Sequence, residues 1–249
     1  MCSFASVGLL LSARDASSQQ PDYESMVALR CSEGFSRALE AAEAHLSSNP
    51  GDGTAAGVRA LVYANAVDFL GMAPAAAREA KKEALARAMQ IAPTGPWTRA
   101  AYGLIHMMDG SVGAERELAS CIDEHPAFLE CYNLQGDLLR KTGREEQAGA
   151  VYRRALKRWP KDGELTVSYA FYLQQAGRVP EALDMLRQLT REEPRFARGH
   201  WHLAVMLFES GGDLVPARRE ASRALELDPL IWNGERFLRM LEHPAGSQE

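Results

Sequence analysis

The sequence predicts an all-α solenoid, a row of about six helical hairpins closed by a C-terminal capping helix. Three observations lead there. Pro93, Pro126, Pro160, Pro194 and Pro229 follow one another at intervals of 33, 34, 34 and 35 residues, the length of one helix–turn–helix unit. Twelve residues before each of the last four prolines stands an alanine, Ala114, Ala148, Ala182 and Ala217, and Ala38 holds the same place before Pro50. After Pro229, Leu230 to Leu241 sets Trp232, Phe237, Leu238 and Leu241 among Glu235, Arg236 and Arg239. This is the two-faced helix with which an open row of hairpins has to end.

In order, residues 1–21 read as a tail rich in Ser, Ala and Gln, with one apolar patch at Val7, Leu9, Leu10 and Leu11. The repeats fill residues 22–229. The first unit, 22–50, has a short first helix around Leu29, and its second half carries Phe35, Ala38, Ala42, His45 and the terminal Pro50. The second, 51–93, keeps Ala60, Tyr63, Leu85, Ala88 and Pro93 in register but is about nine residues longer than a 34-residue repeat. The surplus is expected in the Ala-rich, helix-favouring segment from Pro74 to Ala84, after a turn at Gly71. The third unit, 94–126, shows Tyr102-Gly103, Gly110, Ala114, Leu118 and Cys121. The fourth, 127–160, is the most regular. The fifth, 161–194, shows Tyr169-Ala170, Leu173, Gly177, Ala182, Leu186 and Leu189. The sixth, 195–229, shows Leu203-Ala204, Leu207, Ala217, Ala221 and Ala224, with one extra residue near Gly211-Gly212-Asp213. Residues 230–241 form the cap and 242–249 a tail.

Composition narrows the function classes. The chain has 249 residues, 46% hydrophobic and 24% charged, and a formal charge of −5 with no cluster of Lys and Arg. That argues against a nucleic-acid partner, and no apolar run is long enough for a transmembrane segment. Neither cofactor nor metal nor active site is expected: the chain lacks H-E-x2-H, Gly-rich phosphate-loop and G-x-S-x-G patterns, and its six histidines are dispersed. Of the four cysteines, Cys121 and Cys131 stand where small core residues recur, so both are expected as buried reduced thiols. That expectation favours a reducing, cytoplasmic setting. The alternative is a periplasmic lipoprotein anchored through Cys2.

In the fourth unit, Tyr132, Gln135, Gly136, Leu139, Gly143, Ala148, Tyr152, Ala155 and Pro160 resemble the tetratricopeptide pattern W-x2-L-G-x2-Y, A-x3-F, P. The resemblance implies a right-handed superhelical solenoid whose first helices line a concave face. It also implies which residues face the groove. In the third unit these are Trp97, Ala100, Leu104, Met107 and Met108, and in the fourth Glu130, Asn133, Asp137, Arg140 and Lys141. The fifth unit offers Glu164, Val167, Phe171, Gln174 and Gln175, and the sixth Arg198, Trp201, Val205, Phe208 and Glu209.

Aromatic and methionine residues at such positions suit a protein-binding surface. The alternative is packing against a neighbouring unit, the capping helix or the N-terminal patch. The carboxylate clamp of chaperone-binding tetratricopeptide domains is not expected, because Asp137, Val167 and Phe171 stand where its polar and basic members belong. The function implied is a non-catalytic scaffold or adaptor that binds a peptide or helical segment of a partner protein in its concave groove. A lipid-anchored pilus or secretin assembly factor and a secretion chaperone for a hydrophobic client are the alternatives.

Overall fold

A computed structural model describes residues 21–28, 31–107, 112–211, 214–231 and 233–242, and among these every regular element is a helix. The helices are α1 (Tyr23–Ala28), α2 (Ser32–Ser48), α3 (Gly53–Ala64), α4 (Ala66–Leu70), α5 (Pro74–Ile91), α6 (Pro96–His106) and α7 (Val112–Glu124). They continue as α8 (Leu129–Lys141), α9 (Glu145–Arg158), α10 (Gly163–Gln175), α11 (Val179–Glu192), α12 (Ala197–Glu209), α13 (Leu214–Leu227) and α14 (Gly234–Glu242). The sequence expectations that rest on the N-terminal stretch with Cys2 and the apolar patch, on Leu29, Met108, Gly110, Gly212, Asp213 and Trp232, and on residues 243–249 lie outside the described residues.

The helices pack as pairs α1/α2, α3/α5, α6/α7, α8/α9, α10/α11 and α12/α13. From α3 onward, the first helix of each pair also meets the first helix of the next, α3 with α6, α6 with α8, α8 with α10 and α10 with α12. First helices therefore form a continuous inner layer and second helices an outer one, which makes the chain an all-α solenoid. The termini of the helices follow local chemistry. Asp52 and Asp162 cap α3 and α10, their carboxylates accepting from the Ala55 and Leu165 amides at 2.9 and 2.8 Å. Pro74 and Pro96 open α5 and α6, where a missing amide hydrogen costs nothing. Gly143, Gly177 and Gly211 follow α8, α10 and α12 with φ of +74°, +76° and +72°. In the first of these turns the Gly143 amide donates to the Arg140 carbonyl and the Arg144 amide to the Leu139 carbonyl. A left-handed residue is needed there, and only glycine adopts that region without strain.

Within and between the pairs, small residues are set by contact. A Cβ built on Gly136 would stand 2.3 Å from Tyr152 Cε1, one on Gly103 2.6 Å from Leu118, and one on Gly149 2.4 Å from Tyr172. Tyr152 is fully buried beneath Gly136 and its hydroxyl donates to Asp137 at 2.7 Å. Burial, with the Asp137 charge next to it, pushes the Tyr152 hydroxyl far above its ordinary pKa. Ala38, Ala148, Ala182 and Ala217 are likewise fully buried on the second helices.

Two features depart from the sequence reading. The surplus of the second unit is expected between Pro74 and Ala84, yet it begins earlier. The short helix α4 follows α3, Gly71 ends it with φ of +62°, and α5 then runs for 18 residues. The second departure is a correction: Cys121 and Cys131 are not reduced thiols but a disulfide, with S–S 2.10 Å and Cα atoms 6.2 Å apart. The repeat places one on α7 and the other on the facing side of α8, the next pair's first helix. Two buried sulfurs on facing helices at that separation lie within bonding reach.

The row of helices also bends until its ends touch. The Ser32 hydroxyl at the start of α2 donates to Asp228 after α13 at 2.8 Å, across 196 positions of sequence. Phe69 of α4 stacks on Phe35 with ring centroids 4.3 Å apart, and the Arg198 guanidinium of α12 lies over the Phe69 ring at 5.9 Å. The helices α1, α2 and α4 thus close over part of the inner side.

Replacing Gly136 with alanine puts a methyl group into the Tyr152 ring and is expected to lower stability by about 1–3 kcal/mol. The same change at Gly143, where an added Cβ would meet open space, acts only through its left-handed backbone and is expected to cost about 1 kcal/mol. Denaturant unfolding of the two variants checks the order.

Candidate concave binding surface

The predicted groove residues fall into three groups when placed on the inner layer. The C-terminal aromatic set belongs to the cap. Trp201 and Phe208 of α12 meet Phe237 of α14 edge to face, with centroids 5.1 and 5.6 Å apart, and Phe237 packs against the main core. Val205 lies half-buried on the same helix. These rings bury the apolar stripe of α14, which otherwise would leave the array open at its end.

Next along the inner layer lies a polar cluster between α8, α10 and α12. Arg140 pairs with Asp137 at 3.5 Å and its guanidinium lies over the Phe171 ring at 5.7 Å. Phe171 in turn meets the His202 ring edge to face at 4.8 Å. Arg198 pairs with Glu164 at 3.1 Å and reaches His202 Nε2 at 3.5 Å. Gln174 donates to Glu209 at 2.6 Å. His202 is enclosed by this cluster. Burial, reinforced by the positive charges of Arg198 and Arg140, holds its imidazole well below the usual histidine value. On the opposite face of α12, His200 bridges Glu220 at 2.7 Å and the Pro194 carbonyl at 3.2 Å, tying α12 to α13. The His200 hydrogen bond also lowers the Glu220 pKa.

Of the remaining predicted residues, Trp97, Glu130 and Asn133 line an open recess of about 230 Å³ at the starts of α6, α8 and α10. Trp97 forms one wall and stands edge to face with Phe128, centroids 4.8 Å apart. Glu130, Asn133 and Glu164 line the floor, and Glu24 and Val27 of α1 close the opposite side. Asn133 is 4% exposed, and its Oδ1 atom is buried with no hydrogen-bond partner among the described residues; the same holds for Glu164 Oε2. Leu104 is half-buried further along α6, Met107 is buried just beyond that helix, and Lys141 is exposed at the end of α8.

Several lining residues escape a repeat-based reading. Phe128, Trp159 and Asp162 belong to the turns between pairs, outside the first-helix positions that the tetratricopeptide pattern marks as concave. Trp159 and Asp162 flank Pro160, so turn aromatics and turn carboxylates beside the repeat proline were the available signal. Glu24 and Val27 reach the recess only through the bend of the whole array. Among the described residues no three His, Cys, Asp or Glu side chains come together in a way that could hold a metal ion, and no helix is long and apolar enough to cross a membrane.

Two sequence profiles, both described as tetratricopeptide repeat, match this chain over residues 99–163 and 139–204. The chain belongs to the tetratricopeptide-repeat family. A TPR repeat-containing protein of Dictyostelium discoideum is 23% identical over 156 residues, covering 59% of this chain and 59% of its own length. The matched part is thus less than two thirds of that relative. Among solved structures, a thermophilic TPR protein of Thermus thermophilus is 19% identical with a TM-score of 0.62 over 75% of this chain and 98% of its own. A tetratricopeptide repeat protein from Parabacteroides merdae is 14% identical with a TM-score of 0.64, covering 89% and 83%. Human IFIT1, solved as a dimer with m7Gppp-AAAA, is 15% identical with a TM-score of 0.69 over 85% of this chain and 51% of its own. At these identities the likeness is one of fold.

The tetratricopeptide array keeps His202 neutral when folded, while an unfolded chain protonates it near 6.5. Stability from this residue is therefore complete above that pH and declines as the pH falls below it. His202→Gln is expected to flatten the fall in melting temperature between roughly pH 7 and roughly pH 5, as a pair of thermal denaturation series would show.

Proposed function

We propose that this tetratricopeptide array is a non-catalytic interaction scaffold that receives a segment of a partner protein on its concave side. The reading is supported most directly by the recess at the starts of α6, α8 and α10. There two buried acceptors, Asn133 Oδ1 and Glu164 Oε2, have no donor among the described residues, and buried polar groups in a folded protein are normally satisfied. Aromatic walls beside the recess give a partner apolar surface to cover, while the polar floor sets its register. Trp201 and Phe208 contribute indirectly, by fixing α12 to the cap. Because α1 and α4 already cover part of the inner side, the partner takes an extended or short helical form that enters beside α1. A rigid inner layer lowers the ordering cost on the scaffold side.

Ala127 is exposed and lines the recess, whereas Lys157 is exposed on the outer helix α9. A photo-cross-linking residue at position 127 is expected to join the partner in cells and the same residue at 157 is not. Ala127→Trp, which fills the mouth of the recess without touching the core, is expected to weaken binding of the purified partner segment by about tenfold or more. Equal cross-linking at both positions, or unchanged affinity in Ala127→Trp, contradicts the reading.

A further inference from the structure

The chemistry of the recess narrows what a partner presents to it, an inference that rests on the scaffold reading above. Twelve residues line it, and none is Lys, Arg or His. Four are carboxylates: Glu24 from α1, Glu130 from α8, Asp162 and Glu164 from the start of α10. Three aromatic rings, Trp97, Phe128 and Trp159, stand among them. The starts of three helices also converge there, each contributing roughly half a positive charge, and Arg198 offsets Glu164. The side chains of the lining itself are thus acidic and carry no basic group.

The atoms without partners point the same way. Asn133 is more than nine-tenths buried, it and Glu164 both line the recess, and Asn133 Oδ1 and Glu164 Oε2 have no hydrogen-bond partner among the described residues. Both accept and neither donates at those atoms, so what completes them is a group rich in N–H donors. A bare metal ion fits poorly, because no three His, Cys, Asp or Glu side chains among the described residues come together in a way that could hold one. An organic cation fits, since its charge meets the carboxylates, its N–H groups meet the two acceptors, and its flat or methylene face lies against the aromatic rings. The volume, about 230 Å³, is that of one long side chain rather than of a folded element.

The geometry points to a subsite for an arginine or lysine side chain carried by the partner's bound segment. This is opposite in sign to a groove that holds a peptide carboxylate.

The experiment is a selection of random unstructured peptides displayed against the full chain, followed by affinity measurement on the winners. Peptides that bind are expected to share an Arg or Lys, and replacing it with citrulline or glutamine is expected to weaken binding by about tenfold or more, the scale of a charge-assisted contact left unmade. Glu24→Lys, at an exposed position on the rim, and Asn133→Leu, which removes the acceptor at similar volume, are each expected to weaken the same peptides. Binders that need no cation and ignore both variants, yet are lost in Ala127→Trp, overturn this assignment and leave the scaffold reading standing. Failure to select any peptide sensitive to Ala127→Trp overturns both.

Discussion

Close approach of two helices over a residue without a side chain is the constraint on which the rest of this structure depends. Gly136 lets the Tyr152 ring lie against the α8 backbone, and Gly103 does the same for Leu118. With the pairs drawn tight, each first helix reaches the first helix of the next pair as well as its own partner, and the inner layer becomes continuous. A single hairpin could not bury its apolar face. A stack of them buries one core running from Tyr23 to Leu241.

Small rotations between successive pairs add up, and here they add up to closure. The contact of Ser32 with Asp228 and the stacking of Arg198 over Phe69 join opposite ends of the array. Closure redistributes the roles of the inner residues. The aromatic rings nearest the C-terminus seat the cap, and those of the middle enclose Arg140, His202 and Arg198. The starts of α6, α8 and α10 keep an open recess lined by Asn133 and Glu164, whose buried Oδ1 and Oε2 atoms have no hydrogen-bond partner among the described residues. The inner side of the described residues thus includes a compact polar recess with aromatic walls.

The fold was legible because its determinants are local and periodic. Proline spacing marks where second helices end, the alanines twelve positions earlier mark where helices approach, and Gly143 and Gly177 mark turns that need a left-handed residue. The all-α solenoid and the two-faced character of α14 follow from these. What lay beyond the sequence depends on distances between residues far apart in the chain. Cys121 and Cys131 read as two small core residues until α7 and α8 are set face to face. Glu24 belongs to the recess only because the array curves. For Trp201 the sequence offers both a groove anchor and packing against the cap, and only the placed Phe237 ring, edge to face with it, shows the packing. The polar middle of the groove, Glu130 and Asn133, was visible from the repeat register, whereas Phe128 and Trp159 sit in turns that the register does not weigh.

Closure of the array is the claim from which the shape of the concave side follows, and a direct distance tests it. Spin labels carried on unnatural amino acids at the exposed positions 37 and 230 would report the separation of the α2 and α13 ends in solution by pulsed dipolar spectroscopy. A single narrow distribution at short separation is the expected result, matching the contact between Ser32 and Asp228. A broad distribution at long separation would show an open superhelix and contradict the closed concave side described above.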